Sequence, residues 1–340
     1  MDFGLGIAPV EPVQKIARFA KTVEEKGFAS FVHADQRLRG ERDAFVTLAA
    51  DALNTRKIKL GTCISDPFSR IPAMLASAIA SLDELSGNRA VLTMGSGGAG
   101  FKELHITRSH PNLALREAVC IIRRLFKGEE VNFAGKVFQV TKAKLNFECR
   151  PDIPIQIASR SPLNLELAGE VADGVLLATY ASLPHIKSAL ERVNTGVKKG
   201  MRKSSDVKKI SWLYMSISDN KDEALSNVRP IVTQALVNTS PSMYDVMFDR
   251  LDANLRRFIE MCQMEKDLQK AYDDRRYITN DVIEKFSLAG TPDQIVEKIE
   301  AIGKLGIDSI WIRPFSAPFA ETDHEKVVIP FAEKVMPRVK

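Results

Sequence analysis

Short apolar segments alternate along the chain with longer amphipathic ones, and this alternation is the main evidence for the fold. Runs that are almost entirely apolar predict buried strands, whereas apolar positions three and four residues apart predict helices that pack on a core. Strands are predicted at residues 3–7, 30–33, 58–64, 90–94, 155–158, 174–177, 210–217 and 307–312. Helices are predicted at residues 12–26, 43–54, 71–86, 113–126, 162–171, 183–199 and 292–305.

Eight predicted strands joined through helices indicate an α/β fold of the (β/α)8 type, the TIM barrel. The competing architecture, an open doubly wound sheet, has no need of an eighth strand after so long a run of repeats. Asp43, Ser161 and Thr291 each precede a predicted helix and are expected to cap its first turn. No Pro-rich or Ser-rich linker divides the chain, so residues 1–340 are predicted to form one domain.

Two insertions interrupt the predicted repeats. The sequence VNFAGKVFQV at residues 131–140 alternates around Gly135 and predicts a hairpin after the fourth helix, within an insertion of about residues 129–150. A long helical region at residues 221–285 separates the seventh strand from the last helix, and an insertion of about residues 239–288 overlaps its later part. Either a lid or partner surface, or a solvated pair of helices, would have such a charged and aromatic composition.

Composition and charge exclude several classes of protein. The first residues lack the basic region of a signal peptide, and no apolar stretch approaches the length of a membrane span, so we expect a soluble, cytoplasmic protein without a membrane partner. The four cysteines and five histidines show no metal-ligand spacing, so no metal site is expected. The net charge of +5 is dispersed, and its densest cluster, residues 198–209, lacks aromatic residues, which argues against a nucleic-acid partner.

Candidate chemistry lies after the predicted strands, because barrels of this type place their active sites at the carboxyl ends of strands. Asp35 and Gln36 follow the second strand, and Asp35 could act on a ligand or bridge to Arg37 or Arg39. Cys63 and Ile64 end the third strand. Nothing near Cys63 in the sequence would lower its thiol pKa, so it is expected to be a small apolar residue and not a redox group.

Two further segments predict a phosphate-binding site. Gly95, Gly97 and Gly98 of the loop GSGGAG after the fourth strand allow backbone to approach a flat ring closely. Ser159, Arg160 and Ser161 follow the fifth strand and open a helix, whose first N–H groups attract an anion. The loop does not match the nucleotide-triphosphate motif. Asp66 and Arg70 flank Pro67 and are expected either to form only a turn with a local ion pair or to form a turn at the mouth that touches substrate.

The same segments carry no hydrolytic motif: there is no G-x-S-x-G elbow and no apparent Cys and His pair. Strand ends with these residues are typical of barrels in which a bound cofactor supplies the chemistry. The sequence therefore favours an oxidoreductase that acts on a small molecule.

Five segments give the chain a resemblance to a known family. They are FGLGIAP at residues 3–9, HAD at 33–35, the stretch from IKLGTCI to TMGSG at 58–97, LELAGEVADGVLL at 165–177 and GTPDQIVEKIEAIGKLGID at 290–308. Together they resemble the bacterial-luciferase-like superfamily, and within it the reductases that use coenzyme F420, a deazaflavin, to reduce methylenetetrahydromethanopterin. The resemblance covers most of the chain except residues 239–287.

The resemblance implies a TIM barrel with F420, or alternatively FMN, at the mouth, in a homodimer or larger homo-oligomer. It implies a non-prolyl cis peptide at Cys63–Ile64 behind the ring, Asp35 beside the ring, and a phosphate at Ser159, Arg160 and Ser161. Gln36 stands where relatives that use deazaflavin commonly carry histidine.

The expected function is hydride transfer between F420 and a small organic substrate. The first alternative is an FMN-dependent monooxygenase or reductase. The second is a barrel that binds the cofactor without catalysis, because Gly6 and Gly98 replace acidic residues of the methanopterin reductases.

Overall fold

The computed structural model describes residues 1–35, 40–98, 100–178, 180–239, 253–265, 271–272, 274–318 and 323–339. The fold is a (β/α)8 barrel, as the alternation of segments predicts. The chain divides into two compact units. We call Asp2–Leu176 with Arg192–Lys209 the site unit, and Leu177–Glu191 with Ile210–Lys340 the C-terminal unit.

The site unit is built on strands that lie side by side in chain order. These strands are β1 (Asp2–Ile7), β2 (Ser30–His33), β3 (Lys59–Thr62), β4 (Ala90–Met94), β7 (Ile155–Ser159) and β8 (Gly174–Leu177). Its helices are α1 (Val13–Glu25), α2 (Ala44–Asn54), α3 (Pro72–Ser86), α4 (Pro111–Phe126) and α5 (Pro162–Val171). The helix α6 (Leu183–Lys199) begins in the C-terminal unit and ends in this one.

Strand pairing in the site unit is parallel from β1 to β7. Leu5, Phe31 and Leu60 occupy neighbouring positions on three of these strands, and all three are completely buried. Strands buried on both faces explain why the apolar runs were continuous instead of alternating. Gly61 of β3 lies opposite Val91 of β4 and leaves room for close contact between these strands.

A hairpin follows α4, formed by β5 (Val131–Ala134) and β6 (Gln139–Ala143) in antiparallel pairing. Its turn is fastened by Glu117 of α4, whose carboxylate accepts backbone N–H bonds from Lys136, Val137 and Phe138 at 2.8–3.1 Å. A Cβ at Gly135 would lie 2.4 Å from a carboxylate oxygen of Glu117, so a larger residue there would displace that carboxylate from the turn. One buried carboxylate thereby holds the hairpin against α4.

Ion pairs join neighbouring elements of the site unit. Arg150 donates from Nε and Nη2 to both carboxylate oxygens of Asp83, at 3.0 and 2.9 Å, and Asp83 also accepts the N–H of Ala90 at the start of β4. On the surface, Arg192 of α6 donates to Glu166 of α5 at 3.1 Å. The first pair supports the amino end of β4, and the second joins two helices at the surface, so both serve as structural references for the site.

The C-terminal unit contains three parallel strands, β9 (Lys208–Ile217), β10 (Leu288–Gly290) and β11 (Ser309–Pro314). Its helices in the described residues are α7 (Lys221–Val237), α8 (Ala253–Glu265), α9 (Asn280–Phe286), α10 (Pro292–Gly303) and α11 (Glu325–Lys334). Thr291 caps α10 as predicted, in a capping box with Gln294. Residues 240–252 and 266–270 of the predicted helical insertion lie outside the described residues.

Two elements were missed. The sequence did not predict β10, whose three residues directly follow a helix, or α11 near the end of the chain. The region 221–285 is divided into separate helices in its described parts. Within the described ranges, no helix combines the length and apolar character that crossing a membrane requires.

Candidate active site

Asp35 follows β2, and its side chain is almost completely buried, at 1% exposed. The Ser65 hydroxyl donates to its Oδ2 at 2.6 Å. Arg70 donates to the same carboxylate from Nε at 2.9 Å and from Nη2 at 3.2 Å. Among the described residues, Asp35 is therefore held by Arg70 in a two-pronged ion pair, the strongest form of carboxylate binding by arginine. Arg37 and Arg39, the local partners that the sequence offered, lie outside the described residues.

Arg70 also binds a second carboxylate. Its Nη2 donates to Asp43, the N-cap of α2, and its guanidinium lies 4.8 Å from the ring centre of Phe45. Burial alone would lower the pKa of Arg70, but its hydrogen bonds to Asp35 and Asp43 raise it above its usual value. Burial would raise the pKa of Asp43, but the bonds from Arg70 and Val46 hold it below its usual value.

Asp43 caps α2 as predicted, accepting N–H bonds from Phe45 at 2.9 Å and Val46 at 3.1 Å. His33, at the end of β2, has a structural partner: its Nε2 contacts Asp51 of α2, and both side chains are completely buried.

The turn after β3 remains hydrogen-bonded although the strand ends at Thr62, two residues earlier than predicted. The peptide bond Cys63–Ile64 is cis, at the position that the family resemblance implied. Cys63 N–H donates to the His33 carbonyl at 2.7 Å, and Ser65 N–H donates to the Thr93 carbonyl at 3.1 Å. Gly95 N–H then donates to the Ser65 carbonyl at 2.9 Å. Ser65 thus joins this turn to the end of β4.

The glycine loop lies directly on this turn. A Cβ at Gly95 would be 2.3 Å from Ile64 Cδ1 and 3.6 Å from the carbonyl oxygen of Ala158 at the end of β7. A Cβ at Gly97, which has a φ of +67°, would be 2.4 Å from Phe101 Cζ and 3.0 Å from Asp66 Cγ. The loop therefore packs closely on both neighbours, and a side chain at either glycine would require Ile64 or Phe101 to shift. The predicted approach of these glycines to a flat ring stays a prediction.

Gly98 lies beside a guanidinium. Its φ is +138°, and the only atom within 4 Å of its ideal Cβ in the described chain is Arg108 Nη1, at 3.7 Å. Arg108 donates to the Gly97 carbonyl at 3.1 Å. The loop thus carries positive charge on an otherwise open side.

The helix α5 begins at the candidate phosphate segment. Ser161 occupies its N-cap and Pro162 its first position, as predicted, but the Ser161 side chain makes no capping hydrogen bond. The expectation that it caps the helix is therefore wrong. Instead, the backbone N–H of Ser161 donates to the Ser159 hydroxyl at 2.9 Å, because the turn places that oxygen within reach. The first turn of any α-helix leaves N–H groups without intrahelical partners, which suits an anion.

Asp66 organises the rest of the turn after β3. Its carboxylate accepts N–H bonds from Phe68 at 2.9 Å and Ser69 at 2.8 Å, so the predicted turn is confirmed. The expected local ion pair with Arg70 is wrong, because Arg70 binds Asp35 and Asp43 instead. Phe68 packs between Phe101 of the glycine loop and Phe138 of the hairpin, with ring centres 6.0 and 6.1 Å away.

The chain matches the family model described as luciferase-like monooxygenase over residues 3–309. It belongs to this family.

Among its relatives, the 5,10-methylenetetrahydromethanopterin reductase of Methanolobus tindarius is 33% identical over 91% of this chain and 93% of its own length. The reductase of the same name from Archaeoglobus fulgidus is 30% identical over the full length of both chains. A solved structure, the coenzyme F420 dependent tetrahydromethanopterin reductase from Methanopyrus kandleri, superimposes with a TM-score of 0.86. It shares 26% identity and covers 100% of this chain and 99% of its own.

The structure of this luciferase-like family member brings most of the predicted site residues together. Ile64 meets Gly95, Gly95 approaches the end of β7 that leads to Ser159, Arg160 and Ser161, and Asp35 is bonded to Ser65 beside Cys63 and Ile64. Gln36 lies outside the described residues. In the described ranges, no three His, Cys, Asp or Glu side chains are grouped for a metal ion.

Two contributors were not identified from the sequence. The sequence assigned Arg70 to a local turn and gave Ser65 no role. Their common partner Asp35 is 35 and 30 residues away, respectively, and no local pattern signals such a contact.

Proposed function

We propose that this protein is an oxidoreductase that transfers a hydride between coenzyme F420 and a small organic substrate. The observation that carries the proposal is the meeting of three strand-end segments in one place: the glycine loop, the turn at Cys63–Ile64 and the segment that leads into α5. The relatives named for F420 and for methylenetetrahydromethanopterin, similar along the whole chain, support the same cofactor.

The residues fit a flat, phosphorylated cofactor. Gly95 and Gly97 have no room for a Cβ, so the loop can lie close to both its neighbours and a ring. Ser159, Arg160 and Ser161 offer hydroxyls and a guanidinium at the start of α5, which is the donor set that a phosphate requires. FMN shares this chemistry, so the choice between FMN and F420 rests on the relatives and on experiment.

When bound, a deazaflavin carries a hydride without the oxygen chemistry of a flavin. In our proposal Cys63 and Ile64 lie behind its ring, Gly95, Gly97 and Gly98 lie beside it, and Ser159, Arg160 and Ser161 hold its phosphate. We assign Asp35 and, by its place in the sequence alone, Gln36 to the reacting side. These residues orient the reactants and exclude water, which is a large part of what a protein contributes to a cofactor reaction.

A methylene-bearing reduced pterin is the first substrate class to test. The relatives that are 30–33% identical over at least 91% of this chain carry the name 5,10-methylenetetrahydromethanopterin reductase. The exposed guanidinium of Arg108 beside the glycine loop is the cation that we propose contacts such a substrate.

The test compares cofactors first and substrates second. We expect the purified protein to bind F420 with micromolar or tighter affinity, measured by quenching of deazaflavin fluorescence, and FMN more weakly. Reduced F420 should then be oxidised by one member of a panel of methylene pterins, imines, enones and ketones. FMN binding without F420 binding would support the flavin alternative, and tight F420 binding with no turnover across the panel would support the non-catalytic alternative.

We also propose that two copies of the chain associate through α2 and α3. These adjacent helices expose large apolar side chains: Val46 is 60% and Leu53 63% exposed on α2, and Ile71 and Met74 are 54% and 61% exposed at the start of α3. Apolar side chains on neighbouring helices form the kind of patch that a partner covers, and a second copy presents the same patch.

Sedimentation velocity tests this association. The native chain is expected to sediment as a dimer or larger oligomer, and the pair Val46→Glu with Leu53→Glu as a monomer, because charges would be buried at the contact. Met201→Glu is the control, since Met201 is 94% exposed in a separate turn. A native monomer, or a double variant that still associates, would contradict the proposal.

We further propose that residues 1–340 act as one catalytic domain, because the family match runs through both units. The proposed compartment is the cytoplasm, where the four free thiols would stay reduced.

A further inference from the structure

We infer that Arg70 is a positioning residue of the active site, which fixes the Asp35 carboxylate against Ser65 and so keeps the turn after β3 in place beneath the cofactor. In this arrangement Asp35 acts by holding its neighbours in position. The inference rests on the proposed function and adds to it a residue that neither the family match nor the sequence pattern identified.

Both oxygens of the Asp35 carboxylate accept hydrogen bonds. Its Oδ2 accepts from Ser65 Oγ and Arg70 Nε, and its Oδ1 accepts from Arg70 Nη2. The side chain is 1% exposed, so water does not compete for these positions. A buried carboxylate whose two oxygens are both bound by one guanidinium has a fixed orientation.

Arg70 is itself held by contacts besides Asp35. Its guanidinium also binds Asp43 and lies over the Phe45 ring, so its position is set by the first turn of α2 as well as by Asp35. Arg70 therefore binds the chain at two points, at Asp35 after β2 and at Asp43 at the start of α2. A lysine could supply the charge but not this fork of donors.

Ser65 connects Asp35 to the residues that are proposed to lie against the cofactor ring. Ser65 binds Asp35 through its hydroxyl, and its backbone is bonded on both sides to β4 and its loop, through Thr93 and Gly95. Gly95 in turn contacts Ile64 and approaches the end of β7. Loss of Arg70 would release Asp35, and the shift would pass through Ser65 to the residues proposed to lie against the ring.

The site unit contains a matched pair for comparison. Arg150 binds Asp83 with the same two-pronged geometry, and the Asp83 side chain is 3% exposed. Asp83, however, accepts from Ala90, the first residue of β4, whereas Ser65 and Gly95 lie at its opposite end. The two arginines are thus similar in bonding and differ in which end of the strand they support.

The experiment compares Arg70→Met with Arg150→Met, with Arg70→Lys as the conservative variant. Both methionine variants should lose stability, but only Arg70→Met should raise the Kd for F420 and slow single-turnover hydride transfer, each by about tenfold or more, as expected for misplacement of reacting groups. Arg70→Lys should recover part of both losses. Arg150→Met should stay within about twofold of the native protein in both.

A double-mutant cycle tests the role of Asp35. If Asp35 and Arg70 work as one unit, Asp35→Asn and Arg70→Met cause similar losses, and the double variant is no worse than either single variant. If Asp35 donates a proton, Asp35→Asn abolishes turnover at saturating F420 while Arg70→Met retains it. That second result, or additive losses, would overturn the inference.

A readout without cofactor separates this inference from the proposed function. In the cofactor-free protein, Arg70→Met should accelerate amide hydrogen exchange at Ser65 and Gly95 by about tenfold relative to Arg150→Met. Equal exchange in the two variants would overturn the positioning role, even if F420 binds. Absence of F420 binding by the native protein would overturn the proposed function while leaving the exchange result to judge the role of Arg70.

Discussion

Replacing Arg160 with alanine is expected to weaken F420 binding by about tenfold to a hundredfold and to leave hydride transfer in the saturated enzyme within about twofold. The range follows from a charge-assisted hydrogen bond, which contributes about 1.5–3 kcal/mol. Arg160 lies directly before the N-cap of α5, next to Ser159 and Ser161, and far along the chain from the residues proposed to lie against the ring. Its proposed contact is therefore with the phosphate, which is the same in ground state and transition state.

Fluorescence titration gives the Kd, and single-turnover kinetics at saturating cofactor give the transfer rate. Arg192→Ala is the control, since Arg192 pairs on the surface with Glu166 of the same helix α5 and should change neither quantity. An unchanged Kd for Arg160→Ala would refute the phosphate assignment. A slower transfer rate at unchanged Kd would instead indicate that Arg160 acts at the reacting side of the site.

The largest expected effect on stability is that of Gly61→Ala. A Cβ at this position would lie 1.9 Å from the carbonyl oxygen of Val91 and 2.7 Å from its Cγ1. The carbonyl belongs to β4, which is paired with β3 at these residues, so neither strand can move aside without losing ladder bonds. Overpacking in a closely packed interior costs about 1–3 kcal/mol and more where backbone is involved; we expect about 3 kcal/mol or more.

Urea denaturation measures this loss, with Gly87→Ala as the control. Gly87 has a φ of +72° and nothing within 4 Å of its ideal Cβ, so its substitution brings backbone strain alone, about 1 kcal/mol. A Gly61→Ala loss no larger than that of Gly87→Ala would show that β3 and β4 can separate at this point. A changed m-value would indicate a change in the native or unfolded state instead.

Elements with a local cause could be predicted from the sequence. The apolar runs predicted the strands because each strand is buried on both faces. Asp43 and Thr291 predicted helix starts because their side chains accept hydrogen bonds from N–H groups two or three residues away. The same local rule failed at Ser161, whose side chain makes no capping hydrogen bond. Its backbone N–H donates to the Ser159 hydroxyl instead. The three residues of β10 carry too little pattern to be separated from the helix before them.

The Asp35 network could not be predicted, for a physical reason. Asp35 has arginines within four positions in the sequence, and Arg70 has a carboxylate four positions before it, so each residue has a plausible local partner. The observed pairing depends on β2 and β3 lying side by side, which brings the loops after them together. Only the three-dimensional arrangement of these loops reveals the contact between Asp35 and Arg70.

The attachment of the hairpin by Glu117 has an evolutionary consequence. Because one helix side chain secures the turn at Lys136, Val137 and Phe138, the length and sequence of the hairpin arms can drift while the barrel strands stay under separate selection. Phe138 places the same hairpin against Phe68, beside the glycine loop. A descendant could thus remodel one wall of its binding site by exchanging a short modular segment, with the inherited scaffold left intact.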